Sequence, residues 1–150
     1  EKMITRLYEA SRAGVKIRVL CRGMCSLVTG VSNQSENIKV RSVVGRYLEH
    51  SRVFIFGDAK GEQKVFIGSG DWMARNLDKR VEVMTPILDP QLKKQLNGFL
   101  ETMWKGNQKA RIIDALQKNE YVRSDSDSIE AQLAIYEYYA NLGKSMEPEV

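Results

Sequence analysis

A helical pattern followed directly by a strand pattern opens the chain, and this succession most constrains the fold. Residues 2–13 repeat apolar and small side chains at the spacing of an amphipathic helix, namely Ile4, Leu7, Tyr8 and Ser11. Gly14 stands where the end of a helix favours a left-handed residue. Residues 15–21 then alternate and are rich in β-branched side chains, which is typical of a half-buried strand. A helix that leads into a strand indicates an α/β fold.

Further strand patterns follow. They cover residues 38–44, 53–56, 65–67 and 80–88, and the last is closed by Pro86 and Pro90. A turn from Gly57 to Gly61 predicts that residues 53–56 and 65–67 pair as a hairpin. Residues 23–37 are rich in Gly, Ser, Thr, Asn and Gln, so they indicate a loop that offers backbone N–H groups and hydroxyls.

The second half of the chain predicts two helices. Pro90 begins an amphipathic pattern that stops before Gly106. Residues 107–127 are polar and irregular, with 111–113 as an edge strand. The N-cap candidates Asp125, Ser126, Asp127 and Ser128 precede a last helix that runs to about Leu142.

The length allows one compact domain. With 150 residues and 43% hydrophobic content, the chain has enough apolar side chains for a single α/β domain with its own core. We predict a mixed β-sheet flanked by helices, with a main body at 1–106 and a C-terminal extension at 107–150. Because the sequence opens with Glu1 and enters a helix at once, we expect a fragment of a longer polypeptide.

Charge and cysteine content narrow the function classes. Lys plus Arg number 23 against 19 Asp plus Glu, and this excess suits an anionic ligand without the density of a nucleic-acid tail. Cys21 and Cys25 are a single pair, which is too few for a disulfide framework. No histidine lies near them in sequence, so they do not make a zinc site either. This cysteine usage leads us to expect reduced thiols in a cytoplasmic protein. The sequence contains no apolar run of membrane-spanning length.

A single histidine stands at the entrance to a predicted strand. His50 lies between Arg46 and Arg52, just before the apolar residues 53–56. A phosphate group could bind among these three side chains, which makes His50 a candidate catalytic residue. A lone histidine is also often a structural residue bonded to the backbone.

A second polar cluster follows the strand at 65–67. Small residues end this strand at Gly68, and a turn with Asp71, Trp72 and Arg75 comes next. Such a turn can present backbone amides to an oxyanion. Taken alone, Asp71 could equally cap a short helical turn and Trp72 could fill the core.

Four motifs in order carry a family resemblance. They are Arg22–Leu27, Ser35–Ile38, Val44–Arg52 and Asp71–Glu82. Together they resemble the C-terminal catalytic domain of bacterial polyphosphate kinases. The segment 132–136 also resembles that family's C-terminal helix, so the resemblance covers nearly the whole chain. Thr29 and Gly70 depart from the family's usual proline and alanine, and both changes lie in loops.

The resemblance implies a fold and an activity. It implies a phospholipase D-like sandwich that is used in pairs, with the active site in the cleft between two such domains. The enzyme would transfer phosphate between ATP and a growing polyphosphate through a phosphohistidine on the preceding domain. His50 matches the second family histidine, which assists the transfer. Arg22 and Arg80 match residues that bind nucleotide and polymer phosphates, and Arg75 belongs to the same motif as Arg80.

The resemblance also implies partners. We expect ATP or ADP, inorganic polyphosphate and the preceding domains of the same enzyme as partners, with homo-oligomerisation and no nucleic acid. Magnesium is expected with the nucleotide, but its ligands would lie outside this chain, which holds no evident carboxylate cluster. The fragment alone should be inactive.

Two alternatives remain open from the sequence. A phospholipase D-like phosphodiesterase or nuclease would place Lys and Asp where this chain has Arg52 and Gly57, although Asp58 lies one residue beyond. A non-catalytic phosphate- or nucleic-acid-binding module would need exposed aromatic residues among the cations. Phe54, Phe56 and Phe66 stand in apolar strands and are expected in the core.

Overall fold

A computed structural model describes residues 1–57, 61–123 and 127–144. These ranges contain helices and strands in the mixed α/β order that the sequence predicts. In chain order they are α1 (Lys2–Arg12), β1 (Ile17–Cys21), β2 (Ile38–Ser42), β3 (Val53–Phe56), β4 (Lys64–Gly68), α2 (Ala74–Lys79), β5 (Met84–Ile87), α3 (Pro90–Lys105), β6 (Arg111–Ile113) and α4 (Ala131–Lys144).

The chain forms two compact units, and its described strands lie in two sheets, whereas the sequence led us to expect one sheet. The parallel unit comprises Lys2–Glu49 and Phe99–Val150, and the hairpin unit comprises His50–Gly98 together with Glu1. The described strands form two three-stranded sheets, one in each unit.

The sheet of the parallel unit has the order β1-β2-β6. β1 and β2 run parallel, with Ile17 opposite Ile38, and β6 pairs antiparallel with β2. β2 alternates buried and exposed residues, so Ile38 and Val40 form a core with Leu27. The apolar face of α1 packs against this core, and the Val28 N–H donates to the Tyr8 hydroxyl at 3.0 Å. The predicted helix and strand at the start of the chain are therefore confirmed.

Two arginines hold the end of α3 in the parallel unit. The Arg41 guanidinium lies over the Trp104 ring, 4.5 Å from its centroid, and Arg41 Nη1 donates to the Trp104 carbonyl. Arg18 forms an ion pair with Glu101, with Arg18 Nη1 at 3.2 Å from Glu101 Oε2. The hydrogen bond from Arg18 lowers the pKa of Glu101 from its ordinary value of 4.5, against an opposing effect of burial.

We expect Glu101→Gln to lower the free energy of unfolding by about 0.5 kcal/mol at pH 7, the size typical of a half-exposed ion pair. Because the folded pKa of Glu101 is depressed, its contribution is complete above the unfolded pKa. The contribution disappears as the pH falls through the folded pKa. Urea unfolding from pH 7 to pH 3 should therefore show the variant and the parent converging in acid. Glu120→Gln, which removes an exposed carboxylate, is the control, and a constant difference at all pH values would contradict the assignment.

The hairpin unit contains an antiparallel sheet with the order β3-β4-β5. Val53 lies opposite Ile67, and Val65 lies opposite Ile87. The predicted hairpin is thus confirmed, with Val65 only 1% exposed at its centre. Phe56 differs from the expectation, since it is 51% exposed rather than part of the core.

Two boundaries in the hairpin unit differ from the sequence prediction. The strand expected at 80–88 is shorter and covers Met84–Ile87. The turn expected after Gly68 contains the short helix α2, which begins after Met73 without a side-chain cap and so lacks the usual start signal. Pro86 is tolerated because β5 lies at the edge of its sheet.

The last helix begins later than its N-cap candidates indicate. Asp125 and Ser126 lie outside the described residues, and α4 begins at Ala131. The Leu133 N–H donates to Glu130 Oε2 at 3.2 Å, so a glutamate side chain binds an otherwise unpaired amide of the first turn.

Before α4, Gly106 ends α3, and a Cβ at Gly106 would lie 2.6 Å from the Ala131 Cβ.

Cys21 and Cys25 form no disulfide in the part of the chain that the structure describes. Among the helices in the described ranges, none has both the length and the apolar character that crossing a membrane requires.

Candidate functional site

His50 lies at the start of the hairpin unit, in extended chain just before β3, and is exposed. Arg52 follows two residues later, on the same side of an extended backbone. Arg52 Nη1 is 3.1 Å from His50 Nδ1 and donates to the His50 carbonyl at 2.9 Å. Because a guanidinium only donates, Nδ1 accepts, and the proton of the neutral ring then lies on Nε2.

Asp71 orients Arg52 in turn. The distance from Arg52 Nε to Asp71 Oδ1 is 3.1 Å, and the two side chains are only 13% and 25% exposed. Sheet register explains the contact, since the Gly68 N–H donates to the Arg52 carbonyl at 3.0 Å and places the exit of β4 beside the entrance of β3. Asp71, Arg52 and His50 therefore form a chain of polar contacts that ends at an exposed imidazole.

A second polar network lies on the same unit. Glu82 accepts hydrogen bonds from the Ser69 hydroxyl and from Asn76 Nδ2, the latter at 2.7 Å. The bonds from Ser69 and Asn76, together with the charges of Arg80 and Arg52, hold the pKa of Glu82 below its ordinary value of 4.5. Glu82 is thus an anion at neutral pH and helps to balance the charges of the two arginines.

Asn76 lies at the buried end of this network. It is only 4% exposed, and its Oδ1 atom has no hydrogen-bond partner among the described residues. Its Nδ2 group donates to Glu82, so Asn76 ties α2 to the segment that follows it, and Ser69 ties that segment to the end of β4.

The candidate phosphate-binding arginines of this unit are exposed. Arg75 lies on α2, rather than in the turn that the sequence predicts, and Arg80 follows the helix in an extended conformation. Arg80 acts on Glu82 through its charge. Nearby, Trp72 stacks on Phe54 with ring centroids 5.2 Å apart and planes 8° apart, so Trp72 serves the packing of the sheet.

Arg22 belongs to the parallel unit and follows the carboxyl end of β1. The Val43 N–H donates to the Cys21 carbonyl at 2.8 Å, so the loops that leave β1 and β2 begin side by side. Arg22 Nη1 donates to the Glu49 carbonyl at 2.9 Å. The carboxyl ends of parallel strands are a common position for ligand-binding loops in α/β folds.

The sequence-predicted residues are therefore distributed over both units. His50, Arg75 and Arg80 lie in the hairpin unit, and Arg22 lies in the parallel unit. Of the two arginines that flank His50 in sequence, Arg52 contacts it, while the Arg46 guanidinium lies 5.8 Å from the centroid of the Tyr47 ring.

Sequence reasoning missed the orienting part of Arg52 and the network around Glu82. The separation of two residues between His50 and Arg52 was the available signal, because it places both side chains on one side of a strand. Asp58, on which the hydrolase alternative depends, lies outside the described residues.

The two cavities found among the described residues do not coincide with the candidate site. A cavity of about 280 Å³ in the parallel unit is lined by Cys25, Val28, Asp114, Gln117 and neighbouring residues, and a smaller one lies beside Gly106. Neither contains His50 or Arg22. In the part of the chain that the structure describes, no group of three or more His, Cys, Asp or Glu side chains could hold a metal ion.

Comparison with known proteins gives a consistent result. Residues 1–132 match the family described as "Polyphosphate kinase C-terminal domain 2". The chain is 48% identical over 137 residues to a polyphosphate kinase of Yersinia pestis, which covers 91% of this chain and 20% of that protein. It is 46% identical over 141 residues to a polyphosphate kinase of Klebsiella pneumoniae, which covers 93% of this chain and 20% of that protein.

A solved structure agrees in fold. The crystal structure of polyphosphate kinase from Porphyromonas gingivalis superimposes with a TM-score of 0.91 at 42% sequence identity. The match covers 97% of this chain and 22% of that one. The chain thus spans about a fifth of the length of the relatives that it matches.

Proposed function

Because this chain belongs to the family of polyphosphate kinase C-terminal domains, we propose that it forms part of an enzyme that reversibly transfers the terminal phosphate of ATP to a growing inorganic polyphosphate chain. The observation that best supports this role is the contact chain from Asp71 through Arg52 to His50. It supplies an oriented imidazole N–H and a fixed guanidinium on one surface, and such groups can stabilise the negative charge that develops in phosphoryl transfer.

In this proposal, His50 donates a hydrogen bond from Nε2 to a leaving phosphate oxygen. Arg52 holds the ring through Nδ1, and Asp71 holds Arg52. Phosphoryl transfer spreads negative charge over the oxygens of the transferred group, so fixed cations stabilise the transition state. Arg22, Arg80 and Arg75 would bind nucleotide and polyphosphate phosphates.

The remainder of the site would come from preceding domains. We assign the phosphohistidine intermediate to a domain outside this chain, and this chain to the second of two phospholipase D-like sandwiches that face one cleft. The exposure of His50 and its separation from both cavities support a site that other residues complete. This chain alone would then be inactive.

The expected setting follows from the same proposal. ATP and ADP are the nucleotide substrates, magnesium accompanies the nucleotide with ligands outside the described residues, and the enzyme acts as a cytoplasmic homo-oligomer. The thiols of Cys21 and Cys25, which form no disulfide among the described residues, support a reducing compartment.

The hydrolase alternative is less well supported. Its signature needs a lysine and an aspartate where Arg52 and Gly57 stand. Arg52 is engaged with both Asp71 and His50, so it serves to orient other side chains.

Arg80→Ala tests the phosphate-binding part of the proposal. A cation that contacts a phosphate oxygen contributes about 1.5 to 3 kcal/mol, so the dissociation constant for medium-length polyphosphate should rise about 10- to 150-fold. Calorimetric titration of the full-length enzyme at low and moderate salt measures this change. Lys94→Ala removes the same charge from an exposed position of α3 and should change affinity far less. Equal effects of both variants would mean that Arg80 affects polyphosphate affinity only through the net charge of the protein.

A further inference from the structure

Gln132, near the start of α4, forms two hydrogen bonds with one residue of the loop that follows β2. Its Nε2 atom donates to the Tyr47 carbonyl at 2.7 Å, and the Tyr47 N–H donates to its Oε1 atom at 2.8 Å. The side-chain amide thereby takes the place of a neighbouring strand and satisfies both backbone groups of Tyr47. The two residues are 85 positions apart in the sequence, so this contact ties α4 to an early loop.

Gly45 leaves room for this contact. A Cβ placed at Gly45 would overlap the Gln132 side chain at Oε1 and Cδ. Any other residue at this position would push the amide away from Tyr47. Substitutions at Gly45 and at Gln132 therefore disrupt the same pair of hydrogen bonds in two independent ways.

The loop that Gln132 holds ends at a partner of Arg22. Glu49 lies two residues after Tyr47, and its carbonyl accepts the hydrogen bond from Arg22 Nη1 at 2.9 Å. The other end of the loop is fixed at Val43, which is hydrogen-bonded to Cys21 beside Arg22. All of these residues belong to the parallel unit. A movement in the middle of the loop would therefore shift the Glu49 carbonyl, which is one of the groups that hold the Arg22 guanidinium.

We propose that Gln132 is a positioning residue for Arg22, acting through the backbone of residues 45–49. The inference rests on the proposed phosphate-binding role of Arg22. A planar guanidinium binds phosphate oxygens well only in a restricted orientation. When the Glu49 carbonyl fixes one N–H group of Arg22, it therefore also orients the N–H groups that would bind phosphate. Tyr47 is 67% exposed, and water can replace the lost hydrogen bonds, so removal of Gln132 should loosen the loop without unfolding the protein.

The test is a double-mutant cycle in the full-length enzyme. The variants are Gln132→Ala, Arg22→Ala and their combination, and the measured quantities are kcat and the KM values for ATP and polyphosphate. Gln132→Ala should raise the KM of the phosphate ligand that Arg22 binds about tenfold, with kcat changed less than about twofold, as expected for lost uniform binding. In the Arg22→Ala background, Gln132→Ala should have no further effect. Gly45→Ala should reproduce the effect of Gln132→Ala.

Leu133→Ala is the matched control. It truncates the next residue of α4, which is 54% exposed, and should leave both KM values unchanged. Amide hydrogen exchange gives a readout that does not depend on activity. Residues 45–49 should exchange about tenfold faster in Gln132→Ala and at the parent rate in Leu133→Ala.

The outcomes separate this inference from the proposed function. If Arg22→Ala weakens substrate binding but Gln132→Ala does not, or if the two effects multiply, the positioning role is overturned and the proposed function stands. Unchanged exchange at residues 45–49 would overturn it as well. If Arg22→Ala itself leaves both KM values unchanged, the phosphate-binding role of Arg22 fails, and this inference fails with it.

Discussion

Replacing His50 with alanine in the full-length enzyme should lower the rate of polyphosphate synthesis about 10²- to 10³-fold, the usual effect of removing one hydrogen-bond donor to a developing anion. The reason is that Arg52 occupies Nδ1, so that Nε2 is the atom left to act on a phosphate oxygen. His50 is exposed, and its removal should change the urea midpoint little. Initial rates with saturating ATP measure the effect.

His50→Gln sharpens this result. Its amide group can donate a hydrogen bond from near the position of Nε2 but cannot transfer a proton at neutral pH. Activity well above that of His50→Ala would support the hydrogen-bonding role of Nε2. Equal loss in both variants would contradict that role, because proton transfer would require a protonated ring that no longer accepts from Arg52. Wild-type rates in His50→Ala would remove His50 from the mechanism.

Replacing Arg52 with alanine should have the second largest effect, because it acts on both stability and catalysis. The substitution removes the hydrogen bonds to His50 and deprives the three-quarters-buried Asp71 of its cation. We expect a loss of about 1 to 3 kcal/mol in the free energy of unfolding. The catalytic rate should fall at least about tenfold, since an imidazole without its partner samples other orientations. Urea unfolding and initial rates measure the two effects.

Two further variants test the physical reason. Arg52→Ala combined with Asp71→Asn should recover part of the lost stability, because the amide carries no charge that needs a partner. Arg52→Lys keeps the positive charge but loses the planar guanidinium that contacts Asp71 and His50 together. It should therefore retain a larger share of the parent's free energy of unfolding than of its catalytic rate. A double variant that is less stable than Arg52→Ala would show that the Asp71 carboxylate is held mainly by other contacts.

Local patterns in the sequence predicted most helices and strands well, because an element that packs one face against a core repeats its apolar residues at a regular spacing. The strand at 53–56, the helix from Pro90 and the edge strand at 111–113 agree with the structure. The mixed α/β class is confirmed as well. The division of the strands between two sheets could not be predicted, because sheet membership depends on pairing between distant segments. The helix α2 was missed because it is short and has no side-chain cap.

The candidate site was predictable in its residues but not in its contacts. Ordered motifs pointed to His50, Arg22 and Arg80, and their catalytic and binding roles stay predictions. The link from Asp71 to Arg52 depends on the register of β3 with β4. The hydrogen bond from Arg22 to Glu49 joins residues 27 positions apart, which no local pattern reports.

The order of strands in the parallel unit also has a consequence for the newly made protein. β2 is the central strand, and its second edge is covered by β6, where the Arg111 N–H bonds to Ser42 from 69 residues later. At a synthesis rate of about 5–20 residues per second, that edge waits roughly 3 to 14 s on the ribosome. During this time Ile38 and Val40 lie on a strand with an open row of backbone groups, which is a template for pairing with another chain. Nascent chains that stall between β2 and β6 should therefore be the species that aggregate or recruit chaperones.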